Sequence, residues 1–304
     1  MAIQSPSLDL TAGAGTGVRL TPVAITRGYW QSVARRLRRD PVTLVCGIVL
    51  LLVVASALAA PWLGLSDPYK TSMIRRLYPI GSPNFLLGTD ELGRDMFSRL
   101  IYGGRLSLFM GVTPVVLALL IGGFLGITAG FLGGRVNMLI MRIMDVFYAF
   151  PSVLLAISLS GAMGAGAENT LLALTLVFIP PICRVSESVT TQVRGFDFVE
   201  AARASGASAL TIVRVHVLGN VLGPILVYAT SLISVAIILA AGLSFLGLGV
   251  KPPEPEWGLM LNTLRQAIYV NPVLAALPGV MIFITSICFN MMSDGLRAAT
   301  DVKA

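Results

Sequence analysis

Polar residues cluster along this chain, and between the clusters run apolar stretches of about 20 residues, the helix length that crosses roughly 30 Å of hydrocarbon. Six such runs stand out, at 42–63, 106–131, 144–163, 169–182, 221–248 and 272–292. The first holds about a dozen Leu, Ile and Val residues, worth roughly −4 to −7 kcal/mol on the insertion scale, and inserts without help. It is read as a span rather than a signal peptide, because some 40 residues precede it. The fourth is predicted to be short or irregular: about 15 residues separate Glu168 from Arg184, and Pro180-Pro181 interrupts helical hydrogen bonding near its end. The pattern predicts an all-α membrane protein of six transmembrane helices.

Five segments follow from this spacing. Residues 1–40 form a cytoplasmic N-terminal tail, of which 1–28 read as disordered, and 41–63 form the first transmembrane helix. Residues 64–104 form an extracytoplasmic segment. Within it, Leu92, Met96, Leu100 and Ile101 recur at helical spacing among charges, which predicts an amphipathic helix over 90–105 lying on the outer membrane face and leading into span two. Residues 105–294 hold five further spans, and 295–304 form a cytoplasmic tail. Arg35, Arg36, Arg38 and Arg39 beside the first span place the N-terminus in the cytoplasm, and the 184–220 loop, with Arg184, Arg194, Arg203 and Arg214, falls on the same side. The 64–104 segment runs against the rule, since its Lys70, Arg75, Arg76, Arg94 and Arg99 are only partly offset by Asp67, Asp90, Glu91 and Asp95.

Composition narrows the class. Of 304 residues 55% are apolar and 12% charged, against about 25% charged in soluble domains. The net charge of +7 then reads as topology and contact with anionic membrane lipid, not nucleic-acid binding. Cys46, Cys183 and Cys288 lie apart in apolar runs and His216 is the single histidine, so neither a disulfide framework nor a metal site is expected. No Gly-x-x-x-x-Gly-Lys-Ser/Thr occurs, so any ATP is bound by another chain. No cluster of acid, base and nucleophile points to an enzyme.

One loop carries a sharper signal. In the stretch 195–206, Asp197 suits an N-cap, Glu200 can complete a capping box, and Gly206 supplies a left-handed stop, which predicts a helix over 198–205. So short a helix is marginal alone. Its Ala201, Ala202 and Ser205 offer a small-residue surface over which another protein can close; the alternative is packing on its own membrane domain.

Glu200-Ala201-Ala202 followed by Gly206 resembles the EAA motif of ATP-binding-cassette importer permeases. The stretch 87–105, the Ala-Phe-Pro ending at Pro151, the stretch 242–253 with Trp257-Gly258, and 293–297 resemble the dipeptide, oligopeptide and nickel permease family in its C-type subunit. The resemblance implies a type I importer permease fold in a bacterial inner membrane. It also implies a homologous permease as heterodimer partner, two ATPase subunits that bind ATP and Mg, and an extracytoplasmic binding protein. By motif match it assigns a coupling helix to Asp197, Phe198, Glu200, Ala201, Ala202, Arg203 and Gly206. Gly219 stands where the family usually has proline, and Glu187 where it usually has arginine. Dipeptides or oligopeptides are the expected cargo, with nickel, glutathione or another small solute as the alternative. A secondary transporter driven by ion gradients is the rival of another class; it requires inverted repeats and mid-membrane carboxylates, and neither is seen.

Other positions carry plainer expectations. Arg142 and Asp145, three apart at the start of span three, are expected to pair, as a structural ion pair or a gate. Gly122, Gly126, Gly130 and Gly134 make a smooth stripe for close helix packing, within the subunit or at the heterodimer seam. The proline-rich 251–257 segment is expected to be an extended loop, and His216 to cap or pack. No substrate-binding residue is assigned.

Overall fold

The structure, a computed structural model, describes residues 29–300; the tail at 1–28 lies outside the described residues. Helix α1 (Tyr29–Arg39) carries the arginine run and leads into α2 (Pro41–Ala59). Asp40 caps α2: its carboxylate accepts from the Val42 and Thr43 N–H groups at 3.3 Å, and Pro41 occupies the first helical position, where no N–H is needed. The first predicted span is therefore sharply started by its sequence.

Helix α3 (Met96–Leu132) is continuous for 37 residues, about 55 Å, longer than the bilayer core. The amphipathic helix expected over 90–105 does lead into this span, but it starts only at Met96 and its first turn is buried rather than lying on the surface. Residues 90–95 form a turn, Asp95 caps α3 through the Ser98 N–H at 3.2 Å, and Met96 and Leu100 are buried in a cluster with Trp257, Met260 and Leu274. Half of the apolar stripe that suggested a membrane surface, Met96 and Leu100, packs against protein instead, while Leu92 stays exposed.

Gly133, at φ 66, ends α3, and α4 (Gly134–Tyr148) turns back into the bundle. The expected third span is broken: α4 and α5 (Ser152–Met163) meet at 85°. Pro151 lies between them, and its missing N–H and fixed φ do not let the α4 helix run on. The fourth span departs the other way. Helix α6 (Ala167–Arg194) runs for 28 residues straight through Pro180 and Pro181. Tight packing on α3 holds the helical path that two prolines weaken. Five helices are long and apolar enough to cross a membrane, or six if the bent α4–α5 pair counts as one span.

The α3–α6 contact is backbone to backbone. A Cβ at Gly122 would lie 2.7 Å from the Ile179 carbonyl oxygen, one at Gly126 would overlap the Cys183 carbonyl, and one at Gly130 would lie 2.6 Å from the Glu187 carbonyl oxygen. The glycine stripe thus seats three successive turns of α6 within this subunit, while Gly134 faces open space. Arg194 closes the seam by donating to the Gly130 and Phe131 carbonyls at 3.3 and 3.2 Å, and Asn137 donates to Glu187 at 2.5 Å. Glu187 has local employment here as an acceptor.

After α7 (Asp197–Ala204), α8 (Ala209–Ile212), a π-turn (Val213–Val217) and α9 (Leu218–Phe245) form one unbroken helical path. Gly219 sits on it with open space around it and does not interrupt it. Helix α10 (Trp257–Thr263) and α11 (Pro272–Thr300) complete the chain, with α11 helical well past residue 292. The segment before Trp257 is non-helical, as expected.

At the end of the bundle opposite α7, charges are buried. Asp90 pairs with Arg94 at 2.6 Å and Arg99 at 3.2 Å, and Arg94 with Glu91 at 2.9 Å. Arg99 also donates to the Pro68 carbonyl at 3.0 Å. Two of the five basic residues that contradicted the charge rule are thus neutralised inside the protein. Glu256, also buried, caps α10 through the Gly258 and Leu259 N–H groups at 2.8 Å and accepts from the Ser107 hydroxyl at 3.1 Å; burial pushes its carboxyl up from the ordinary range.

The glycine seam yields a matched pair of variants. Gly126→Ala is expected to cost about 1–3 kcal/mol through overpacking, whereas Gly123→Ala, whose nearest contact would be Leu119 at 3.9 Å, is expected to cost nothing. Thermal unfolding of the detergent-purified chain checks both.

Candidate functional site

The 195–206 loop folds as one short helix held at both edges. Its start differs by one residue from expectation. Phe196 is the N-cap and makes no side-chain capping bond, while Asp197 is already helical, so the Asp197–Glu200 capping box does not form. Both carboxylates instead sit in the first turn, where the helix dipole favours negative charge. The C-terminus is as predicted: Gly206 has φ +83, its N–H donates to the Arg203 carbonyl at 2.9 Å, and the Ala207 N–H reaches the Ala202 carbonyl at 3.1 Å. These two bonds are the Schellman pair that closes a helix end.

Only one edge of α7 is buried. Val199 is wholly enclosed, in a cluster with Phe131, Val193, Ile212, Val217, Val221 and Ile225, and Ala202 packs at its margin. Arg203 stacks over the Phe131 ring at 5.7 Å. Asp197, Glu200, Ala201, Ala204 and Ser205 remain exposed, and Phe196 and Phe198 expose half and 40% of their surface. Phe198 lies 5.8 Å from Phe196 and 6.3 Å from His216 of the π-turn, so His216 packs, as expected. Leu210 and Val215 add exposed apolar surface beside it. The helix packs on its own domain through Val199 and Ala202 and leaves Asp197, Glu200, Ala201, Ala204 and Ser205 exposed.

The expected Arg142–Asp145 pair does not form. Asp145 pairs with Arg184 of α6 at 2.5 Å, and the Arg184 guanidinium stacks over the Tyr148 ring at 4.6 Å. Arg142, exposed on α4, joins no ion pair among the described residues. The cross-helix partner wins because Asp145 and Tyr148, one turn apart, together grip a guanidinium that the α4–α6 contact brings to them. The sequence reading placed Arg184 beyond the end of span four; had the Pro180-Pro181 pair been allowed inside the helix, its charge would have stood out as intramembrane.

Above this pair lies a cavity of about 510 Å³ in the crook of the α4–α5 elbow, walled by Phe147, Tyr148, Phe150, Phe178, Pro181 and Tyr228 among others. Among the described residues no group of three or more His, Cys, Asp or Glu side chains is arranged to hold a metal. The three cysteines are free thiols.

Helices of spanning length, one of them kinked beside a cavity, define the class as a multi-pass membrane protein. Residues 122–302 match the family described as binding-protein-dependent transport system inner membrane component, and residues 28–79 match the N-terminal TM domain of oligopeptide transport permease C. The chain belongs to that inner membrane component family, as a permease subunit of an ABC importer. It is 42% identical over 280 residues to the di/tripeptide transport system permease protein DppC of Pseudomonas aeruginosa (strain UCBPP-PA14), covering 90% of this chain and 91% of that one. It is 40% identical to the glutathione transport system permease protein GsiD of Pectobacterium atrosepticum, covering 91% and 92%. Against the dipeptide transport system permease protein DppC of Alkalihalophilus pseudofirmus the identity is 39%, over 90% of each. The fold is that of the permease in inward facing structures of the MetNI methionine ABC transporter, with TM-score 0.56, 20% identity, and coverage of 67% of this chain and 97% of that one.

Gly206 meets no neighbour within 4 Å, so its constraint is the positive φ alone. Gly206→Ala is expected to loosen the end of α7 by about 1 kcal/mol, and Gly206→Asn by much less, because asparagine tolerates the left-handed region. Hydrogen exchange of the α7 amides measures the difference.

Proposed function

We propose that this permease imports short peptides and that α7 is the helix through which separate ATPase subunits drive it. The observation that carries the second part is the exposure pattern of α7: Val199 is enclosed and Ala202 packs beside it, while Phe198, Glu200, Ala201 and Ala204 face outward on a helix too short to stand alone. A surface of small and aromatic side chains with an acidic first turn suits a groove in a partner. In this reading the α7 end is cytoplasmic, in keeping with the arginine-rich α1, and the end with the buried charges faces the binding protein.

Force applied to α7 has two covalent routes into the membrane. Gly195 joins it to α6, and the short link after Gly206 joins it to α8, the π-turn and α9. Its third attachment, the Val199 cluster, touches the same helices at Val193, Val217 and Val221. A displacement of α7 is therefore shared by α6 and α9, which wall the elbow cavity through Phe178 and Tyr228. The other half of the path comes from a homologous permease in a heterodimer, embedded with this chain in the inner membrane. ATP and Mg are held by two ATPase subunits.

The cargo reading rests on the relatives. Those similar over nine-tenths of the chain are named for di- and tripeptides, for dipeptides and for glutathione. All are short, with free ionised ends.

Ala201→Trp tests the coupling role. The variant is expected to insert and fold normally, since Ala201 is exposed, while ATP hydrolysis stimulated by the loaded binding protein and peptide uptake in proteoliposomes both fall at least tenfold. Uptake at the unaltered rate would remove the role assigned to α7.

A further inference from the structure

Helix α6 is 28 residues long, about 42 Å, and Arg184 lies about 15 Å from its Arg194 end. A hydrocarbon layer of about 30 Å centred on such a helix extends to within about 6 Å of each end, so Arg184 sits about 9 Å inside it. Asp145 and Tyr148 meet Arg184 there, and the side chains of the ion pair are 47% and 46% exposed. Half-exposed charges at that depth do not face lipid. They face the partner permease or a polar path between the two subunits. Immediately beside them is the elbow cavity, with Tyr148 common to both.

We propose that the elbow cavity and the Asp145–Arg184 pair form a station on the translocation path that holds a short peptide by its two free ends. The proposal rests on the cargo reading above and supplies the path residues for it. Arg184 spends one amino group, Nη2, on Asp145 and keeps further donors for a peptide carboxylate, which it can bind in a bidentate fork. Asp145 keeps an oxygen, Oδ2, for a peptide ammonium. In the empty state the two residues neutralise each other, so no lone charge stands in the membrane. A zwitterionic peptide offers each of them an opposite charge, so both of its ends are paired and neither residue is left alone. The remaining walls, from Phe147, Phe150, Phe178, Pro181 and Tyr228, are flat aromatic and proline surfaces that accept side chains of many shapes with few hydrogen-bonding demands. The station therefore recognises what all short peptides share and ignores what differs among them.

The test uses the assembled importer, with its partner permease, ATPase subunits and binding protein, in proteoliposomes. Cysteine is introduced as Tyr148→Cys, and separately as Ser152→Cys on the same cavity, in a background where Cys46, Cys183 and Cys288 are replaced by serine. A charged, membrane-impermeant methanethiosulfonate is expected to label both positions. Dialanine is expected to slow that labelling at least fivefold during ATP-driven turnover, and free alanine not to slow it. Arg184→Gln is expected to remove the protection and cut dialanine uptake at least tenfold, and Arg184→Lys to restore part of both. Absence of labelling at both positions, or labelling indifferent to dialanine, in an importer that takes up dialanine overturns the station and leaves the cargo reading standing. A wild-type importer that hydrolyses ATP on stimulation yet takes up no dipeptide overturns the cargo reading and its occupant together.

Discussion

The close approach of α3 and α6 is the constraint on which the rest of this molecule depends. In lipid, helices gain nothing from expelling water, and they stay together largely through dispersion contacts that lose about a quarter to a half of their strength over roughly 0.5–1 Å of separation. Three glycines set against three successive turns of α6 make that contact as close as backbones allow. The seam holds α6 straight through two prolines, brings Arg194 to the last carbonyls of α3, and sets Asn137 against Glu187. It also fixes the distance at which α4 must lie, and so brings Asp145 to Arg184.

The two ends of the bundle are built on different principles. At one end Asp90, Arg94 and Arg99 are buried together and the 64–95 segment is tied to α3 and to the 251–256 loop by charges and hydrogen bonds. Buried ion pairs rarely add net stability over apolar packing, but they demand one geometry, because an unpaired member is very costly. At the other end α7 is tethered by one valine and a helix cap. A fixed shape at one end and a lightly tethered helix at the other are what the proposed division of labour, cargo received on one side and motion on the other, requires.

Much of this was legible in the sequence, and the misses have physical reasons. The apolar runs located the spans, the glycine spacing located the seam, and Gly206 located the end of α7. The bend at Pro151 and the passage of α6 through Pro180-Pro181 are opposite outcomes for the same residue type. What decides between them is whether a neighbouring helix supports the weakened turn, and that is not written locally. The Arg142–Asp145 expectation failed for the same reason: spacing along one helix says which side chains can meet, whereas packing decides which do. The buried cluster at Asp90 was hidden because a charged stretch beside an apolar stripe has the same pattern at a membrane surface as in a protein core.

The π-turn at Val213–Val217 carries a further consequence. A π-turn holds one residue more than an α-turn over the same rise, and so rotates everything beyond it by about 100° relative to an uninterrupted helix. Ile212 upstream and Val217, Val221 and Ile225 downstream all lie in the cluster that holds Val199. The extra residue keeps Ile212 and Val217, five apart, on one face, as four-residue spacing does in an ordinary helix. Deleting the exposed Val215 would turn the apolar faces on either side of it away from each other without removing any residue of the cluster.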